Sequence, residues 1–249
     1  MKPKNDSRAC DCTVELIETK NVSLRGYTLL EGFPGLGLSG TIGSKYIVEK
    51  LRLEQIGHIN SEKFLPIIRI ENGLPMHPVR IYASKKNKLA IILAEQVVPK
   101  ESAADVAKEF VDWVKKKGIK TVISTSGIRT DETTKVYAFA SNENSKKIIS
   151  NNGIKLISNG ITSGVTALIM LELKENNIDA LCIMGNTKTS ADYHAAKEIV
   201  KAICKITGLK IDLTSLEKEG RTVEDSLVEH LKTVKENSCD ESDITPMYA

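Results

Sequence analysis

A glycine-rich stretch between a short apolar strand and a helix constrains the fold more than any other part of this sequence. Residues 27–30 favour a strand, and apolar residues at helical spacing begin after Thr41. Between them, Gly35, Gly37 and Gly40 satisfy the pattern G-x-G-x-x-G. Because glycine permits positive φ and close backbone approach, such a unit either cradles a phosphate or turns a tight corner.

The dinucleotide-binding interpretation of this loop needs an acid about 20 residues later, at the end of the next strand. Here Glu54 precedes and Glu62 follows the candidate strand over residues 55–60, so neither has the expected place. Phe33 and Pro34 also stand where small residues are usual. The pattern therefore favours a structural turn that packs the helix closely on the sheet, and no cofactor is predicted.

Strands and helices alternate along the rest of the chain. The predicted strands lie at residues 13–18, 27–30, 55–60, 67–70, 79–82, 89–93, 121–124, 136–140, 155–158 and 180–185. The predicted helices lie at residues 41–51, 102–117, 145–152, 164–171 and 191–207. Short links at 72–73 and 86–87 predict antiparallel hairpins between residues 64 and 94. Ser102 with Asp105 resembles a capping box, and the helix over 164–171 is apolar on all sides, which predicts a mostly buried helix.

This alternation predicts a three-layer α/β/α domain over residues 1–215, with a mainly parallel mixed sheet. Residues 216–236 form a predicted amphipathic helix, which either packs on the domain or forms an oligomer interface. Residues 237–249 predict a disordered acidic tail, since they have little to bury.

Composition excludes several classes of protein. No apolar run reaches the roughly 18 residues that cross a bilayer, and the first residues lack the apolar core of a signal peptide, so we expect a cytoplasmic protein without a membrane partner. The five cysteines are scattered, which favours reduced thiols. Cys10 and Cys12 lack a second Cys or His pair at ligand spacing, so no metal site is predicted.

Charge is distributed unevenly along the chain. The formal net charge is +3, but residues 236–249 hold four acidic and no basic residues, which leaves 35 basic and 28 acidic residues in the body. Aromatic residues make up 4% and the lysines are dispersed, so the sequence does not favour nucleic-acid binding.

No catalytic group emerges from the residue pattern. Ser39 does not form a nucleophile elbow because Thr41 replaces the second glycine of G-x-S-x-G. The four histidines are isolated from nucleophiles, and Asp192 with His194 fits a helix-capping pair better than an acid–base pair. We therefore expect no catalytic residue.

Two further polar segments lie where α/β folds place ligands. One, with Ser126 and Arg129, follows a strand, and the other, with Thr162 and Ser163, precedes a helix whose N-terminus could hold an anion. Together with the loop glycines these residues define a candidate ligand crevice, consisting of Gly35, Gly37, Gly40, Ser126, Arg129, Thr162 and Ser163.

The last three residues are a separate signal. Met247 and Tyr248 follow an acidic spacer and offer apolar area, and Ala249 carries the terminal carboxylate. A pocket with an apolar slot, an acceptor for the phenol and a lysine for the carboxylate would capture all three, which is a known mode of peptide recognition.

Several segments together resemble the PAC2 (proteasome assembly chaperone) family, in order over residues 24–215. They are E-G-F-P-G-L-G-L-S-G at 31–40, G-I-T-S-G at 160–164, A-L-C-I-M-G at 180–185, D-Y-H-A-A at 192–196 and L-K-I-D at 209–212. The resemblance, closest to archaeal members, implies a three-layer α/β fold similar to nucleoside phosphorylases.

The resemblance also implies a partner. Several archaeal members end in a hydrophobic–tyrosine–any-residue motif that inserts between α-subunits of the 20S proteasome core, and Met247, Tyr248 and Ala249 match it position by position. The implied function is an assembly chaperone or ATP-independent activator, as a homo-oligomer whose several tails dock together on the α-ring. The alternative is a phosphorylase-like enzyme or a protein that binds a small molecule or nucleotide in the glycine-rich crevice.

Overall fold

A computed structural model describes residues 14–216 of the chain. Its strands are β1 (Val14–Glu18), β2 (Thr28–Gly32), β3 (Glu54–Ser61), β4 (Arg69–Glu71), β5 (Leu74–Met76), β6 (Val79–Ser84), β7 (Leu89–Ala94), β8 (Thr121–Ile128), β9 (Val136–Ala140), β10 (Lys155–Leu156) and β11 (Ala180–Asn186). Its α-helices are α1 (Ser39–Leu51), α2 (Ala103–Lys117), α3 (Glu143–Asn151), α4 (Val165–Glu175) and α5 (Tyr193–Thr207).

Nine strands form one mixed sheet in the order β1-β3-β6-β7-β2-β8-β11-β9-β10. Strands β7, β2, β8 and β11 are parallel at its centre. The β1-β3-β6-β7 flank is antiparallel, and β9 runs antiparallel to β11 and parallel to β10. The predicted mixed sheet, with parallel central strands and an antiparallel portion, is confirmed.

Helices cover both faces of the sheet, which confirms the three predicted layers. Helices α1 and α5 pack on one face, and α2 and α4 pack on the other. Successive residues of β2 serve the two cores, since Leu29 joins the α2–α4 side and Leu30 joins the α1–α5 side. Trp113 of α2 is buried, as its spacing predicts.

One predicted strand lies outside the main sheet. The strand predicted at 67–70 was expected to join the antiparallel run, but Arg69–Glu71 pairs only with Leu74–Met76, in a separate two-stranded sheet. Proline cannot donate a ladder hydrogen bond, and Pro66, Pro75 and Pro78 interrupt this region. The tight link at 72–73 is confirmed, because both of its residues have positive φ.

Two local helix predictions were wrong. On α4, Leu168 and Leu171 are 37% and 50% exposed, because only one side of this outer helix packs against α2 and the sheet. Before α2, the Ser102 hydroxyl donates to the Pro99 carbonyl at 3.1 Å and caps no backbone N–H. A 3-10 turn runs into α2 at this point and gives Ser102 helical φ and ψ, so the capping box with Asp105 does not form.

Helix α1 approaches the sheet very closely through its glycines. A Cβ at Gly40 would lie 2.4 Å from Thr125 Oγ1 and 2.9 Å from the Thr125 carbonyl oxygen. A Cβ at Gly43 would lie 3.0 Å from a methyl group of Val200 on α5. The interpretation of the glycine loop as a turn that packs the helix closely on the sheet is supported by these contacts.

Gly40→Ala tests this packing against intrinsic helix propensity. Propensity alone favours alanine by about 1 kcal/mol, but the added methyl group overlaps the backbone of β8, and overpacking costs about 1–3 kcal/mol. Because the obstructing atoms include a backbone carbonyl that cannot rotate away, we expect the melting temperature to fall by a few degrees. Thermal unfolding followed by circular dichroism measures this change.

Gly160→Ala is the matched control, because its added methyl group would have its nearest neighbour, Ile157, at 3.5 Å. Its melting temperature should stay within about a degree of the parent. A Gly40→Ala variant that melts at or above the parent temperature would contradict the packing explanation.

Candidate functional site

The glycine loop itself covers the carboxyl ends of the central strands. A Cβ at Gly35 would lie 3.0 Å from Ser126 Oγ, and one at Gly37 would lie 2.0 Å from Thr187 Oγ1. Gly37 also has a φ of 69°, which glycine adopts most easily. The loop glycines thus lie directly against side chains at the ends of β8 and β11, where a larger residue would not fit.

The structure brings together four of the seven predicted crevice residues, namely Gly35, Gly37, Gly40 and Ser126. The other three are exposed, with Arg129 just after β8 and with Thr162 and Ser163 before α4. Of the polar residues near the start of α4, Thr166 in its first turn is buried.

A buried carboxyl group lies at the centre of this region. Glu31, the fourth residue of β2, is fully buried. Its Oε1 accepts hydrogen bonds from the Phe33 backbone N–H at 2.9 Å and from the Thr166 hydroxyl at 3.1 Å. Its Oε2 has no hydrogen-bond partner within residues 14–216. The carboxyl group therefore joins β2, the glycine loop and α4 in one contact.

Burial dominates the ionisation of this group. It raises the pKa of Glu31 to about 7, against the lowering effect of its polar contacts with the Phe33 N–H, the Ser124 hydroxyl and the Thr166 hydroxyl. Burial also raises the pKa of the Cys182 thiol well above its ordinary value, and the negative charge of Glu31 adds to that effect. The thiol consequently stays protonated near neutral pH and supplies no nucleophile here.

The sequence contains a signal for Glu31 that lies outside the dinucleotide fingerprint. That fingerprint places its acid about 20 residues after the loop, in the region of Glu54 and Glu62. Glu31 instead precedes the loop, as a single charged residue at the end of an apolar strand. A charged residue in a strand that is buried on both faces needs a partner or a raised pKa, which marks such a position.

The capping interpretation of Asp192 is confirmed. Its Oδ1 accepts the Ala195 N–H at 2.8 Å at the start of α5, and its Oδ2 accepts the Lys188 N–H at 2.7 Å. Both carboxylate oxygens are thereby used to order the chain between β11 and α5.

Other predicted features lie outside the described residues. These are Cys10 and Cys12, all of the 216–236 helix except Leu216, the 237–249 tail, and its last residues Met247, Tyr248 and Ala249. Among the helices of residues 14–216, none is long and apolar enough to cross a membrane.

The fold and the site together define a class of α/β proteins with a mixed nine-stranded sheet, in which a glycine loop closes over the strand ends beside a buried acid. The PAC2 family model matches residues 29–231. The chain belongs to the PAC2 family, which confirms the resemblance found in the sequence.

Similar proteins span nearly the whole chain. The uncharacterized protein MJ0106 of Methanocaldococcus jannaschii is 24% identical over 230 residues, which cover 90% of this chain and 95% of that protein. The crystal structure of Pyrococcus furiosus PbaA, described as an archaeal homolog of proteasome-assembly chaperone, superposes with a TM-score of 0.81 at 26% identity, covering 90% of this chain and 99% of that one. Pyrococcus furiosus PbaB, described as an archaeal proteasome activator, shares the fold at a TM-score of 0.71 and 21% identity, with the same coverage.

Glu31→Gln should remove a pH dependence of stability. The folded pKa of about 7 exceeds the ordinary value of 4.5, so the folded state holds this proton while the unfolded state releases it between pH 4.5 and 7. The stability of the parent should therefore fall as pH rises through that window, by about 3 kcal/mol from this group alone. Glutamine does not titrate, so the variant should gain about that amount relative to the parent between pH 4.5 and 8. Urea unfolding at fixed protein concentration measures both profiles.

Glu132→Gln is the control, because the contribution of Glu132 to stability should change with pH in the opposite direction. Its hydrogen bonds from Lys155 and Tyr137 lower the pKa of Glu132, so its contribution to stability is lost as pH falls. Parallel pH profiles for the parent and Glu31→Gln would show that the buried carboxyl group does not titrate in this range.

Proposed function

We propose that this chain docks its C-terminus on the α-ring of the 20S proteasome core particle, as an assembly chaperone or an ATP-independent activator. The observation that carries the proposal is that a chain of the PAC2 family ends in Met247-Tyr248-Ala249. This ending matches the hydrophobic–tyrosine–any-residue motif. The similarity to PbaA, a homolog of proteasome-assembly chaperone, and to PbaB, a proteasome activator, supports a proteasome partner.

Each of the three terminal residues offers one contact to a pocket between neighbouring α-subunits. Met247 fills an apolar slot, and the Tyr248 phenol packs its ring and donates a hydrogen bond. The Ala249 carboxylate pairs with a lysine of the pocket. Because the free carboxylate exists only at the chain end, this mode requires the end itself and cannot be supplied by an internal Met-Tyr-Ala segment.

The sequence also limits how such docking could be powered. No G-x-x-x-x-G-K-[ST] phosphate-binding loop is present anywhere in the 249 residues. We therefore assign any opening of the core particle to binding of the tails alone, without ATP hydrolysis.

Self-association of the chain would strengthen its binding to the α-ring, because several tails on one assembly bind a ring of subunits better than a single tail does. Leu168 and Leu171 lie three residues apart and form an exposed apolar stripe on α4. The predicted amphipathic helix over 216–236 adds a second candidate interface. We propose a homo-oligomer, whose mass in solution should be a multiple of 27.3 kDa.

Small-molecule binding in the crevice is the competing proposal. Its test needs a variant that changes the crevice without disturbing the core. Gly37→Val is a poor probe, because its side chain would overlap Thr187 and the positive φ would be strained. Arg129→Ala alters an exposed crevice residue without disturbing the core. Calorimetry with a nucleoside and with a nucleotide should show no saturable heat, whereas binding that Arg129→Ala weakens would favour the small-molecule function.

Deletion of residues 247–249 should abolish capture of an archaeal 20S core particle by the immobilised full chain. Tyr248→Ala should weaken capture by roughly tenfold or more, since it removes the aromatic anchor. Extension by one glycine beyond Ala249 should also weaken capture, because it moves the carboxylate away from its lysine. Titrated pull-down with quantification of core particle measures all three.

Thr245→Ala is the matched control, since it changes the tail next to the motif and should leave capture unchanged. Equal capture by the intact and the truncated chain would refute docking through the C-terminus. Peptidase assays on the captured particle separate the two roles, because an activator accelerates hydrolysis of a short fluorogenic peptide and an assembly chaperone does not.

A further inference from the structure

Two of the four histidines lie face to face on the antiparallel flank of the sheet. His58 belongs to β3, and His77 lies between β5 and β6, directly before Pro78. Their imidazole rings are stacked, with centroids 3.7 Å apart and ring planes that differ by 7°. This contact closes a loop that contains the whole β4–β5 hairpin.

The environment of the pair favours the neutral form of His58. The His58 side chain is half-buried, whereas His77 is exposed. Burial lowers the pKa of His58 below its ordinary value of 6.5, and a positive charge on His77 lowers it further. Because stacked neutral rings attract and two imidazolium rings repel, proton uptake opposes this contact.

Several charged or titratable groups face the pair from the neighbouring elements. They are Arg80 and Tyr82 of β6, Glu15 of β1, Arg69 and Glu71 of β4, and Glu95 after β7. Arg80 lies opposite His58 in the ladder, so a proton on His58 adds a second cation beside it. Glu15 is exposed and lies diagonally across β1, where water screens its charge. Tyr82 stays neutral, because burial raises its pKa to about 12.

A separate ion pair attaches the hairpin at another point, since Arg69 bonds Glu95 at 2.9 Å. After His77, the Pro78 carbonyl accepts the Glu95 N–H at 2.8 Å, which holds the start of β6 in place. Loss of the stack would therefore affect the residues between the end of β3 and Pro78, and it would leave β6 in the sheet.

His77 also belongs to the lining of a groove of about 380 Å³. The same groove is lined by residues 59–61 at the end of β3 and by residues 75–78. Because His58 directly precedes this part of β3, the stack helps to fix the distance between the two linings.

We propose that His58 and His77 form a pH-sensitive latch. Neutral rings stack and hold the segment between β5 and β6 on β3. Protonation of both rings places two like charges in contact and releases His77, which loosens the hairpin and widens the groove while Arg69 and Glu95 keep the hairpin attached. The latch uses none of the residues assigned to proteasome docking and stands apart from that proposal.

The direction of the pH dependence follows from the lowered pKa of His58. In the released state His58 recovers its ordinary pKa of 6.5, so the released state takes up the proton more readily than the latched state. The latch is therefore fully formed above about pH 6.5 and is lost as the pH falls through the lowered pKa of His58.

Hydrogen exchange of the full chain, followed by mass spectrometry of peptides that cover residues 64–78, tests the latch. Protection factors, corrected for intrinsic exchange rates, are compared at pH 7.5 and pH 5.0. We expect protection of this segment to fall by roughly fivefold or more at pH 5.0, because two unit charges at this separation repel by about that factor even in water. Peptides from β8 should keep their protection and serve as the internal reference.

Two variants separate the histidine pair from other titrating groups. The double variant His58→Phe, His77→Phe keeps two aromatic rings without a titratable group, so protection of residues 64–78 should be the same at both pH values. His194→Phe, at an exposed site on α5, is the matched control and should retain the pH dependence of the parent.

A second measurement follows the rings themselves. In an NMR titration of the imidazole Cε1–H signals of the full chain, the midpoint of His58 should lie below that of histidine in the urea-unfolded chain. His77→Phe should raise this midpoint, because it removes the charge of the second ring.

Three results would overturn the latch. A His58 midpoint equal to the unfolded value and unchanged by His77→Phe would show that the rings do not interact. Constant protection in the parent would show that protonation does not release the hairpin. An equal fall in protection in the parent and in the double variant would assign the pH dependence to the carboxylates around Arg80.

Discussion

The close contact between the glycine face of α1 and the end of β8 is the constraint on which the rest of this structure depends. Thr125 is buried there and donates its hydroxyl proton to the Glu31 carbonyl at 2.8 Å, which ties β8 to β2 beside their ladder. The same side chain fills the space that a Cβ at Gly40 would need. One threonine thus fixes the distance from helix to sheet and the spacing of two central strands. Because α1 lies so close to the sheet, the loop before it folds back over the strand ends, with Gly37 against Thr187.

The fully buried Glu31 and the largely buried Glu95 are stabilised in opposite ways. Glu95 lies among cations, with Arg69 at 2.9 Å, Lys45 at 3.3 Å and Arg80 bonded to its other oxygen. Glu31 receives only neutral donors, so burial outweighs its hydrogen bonds and raises its pKa to about 7. The ion pairs of Glu95 hold the β4–β5 hairpin on the domain. The junction of β2, the glycine loop and α4 is instead stabilised by protonation of the Glu31 carboxyl group. The stability of the interior beside the glycine loop should therefore depend on pH.

The local sequence pattern was sufficient to predict the three layers of the fold. It was insufficient to predict the side-chain contacts between those layers. Leu29 and Leu30 alternate between two cores, a pattern of buried parallel strands that sequence shows directly. The separate hairpin was missed because its pairing depends on prolines and on ionic contacts to distant residues such as Glu95. The role of Glu31 was not predicted for a similar reason, since its burial and its contacts with Phe33 and Thr166 are defined only by the packed structure. The PAC2 resemblance succeeded because it drew on many short segments in order, although no single one was decisive.

The proposed docking assigns different roles to the folded domain and to the C-terminal residues 247–249. In the body, Thr125 and Thr187 pack against Gly40 and Gly37. In the tail, three terminal residues bury little area and bind weakly by themselves. Under the proposed docking, affinity must then come from the number of tails and from their effective concentration over the ring. Both quantities are properties of the assembly that the bodies form. Under the proposed docking, the folded domain would act chiefly by fixing how many chain ends are presented and how far apart they stand. The exposed Leu168 and Leu171 of α4 are the described residues through which the proposed self-association can be tested.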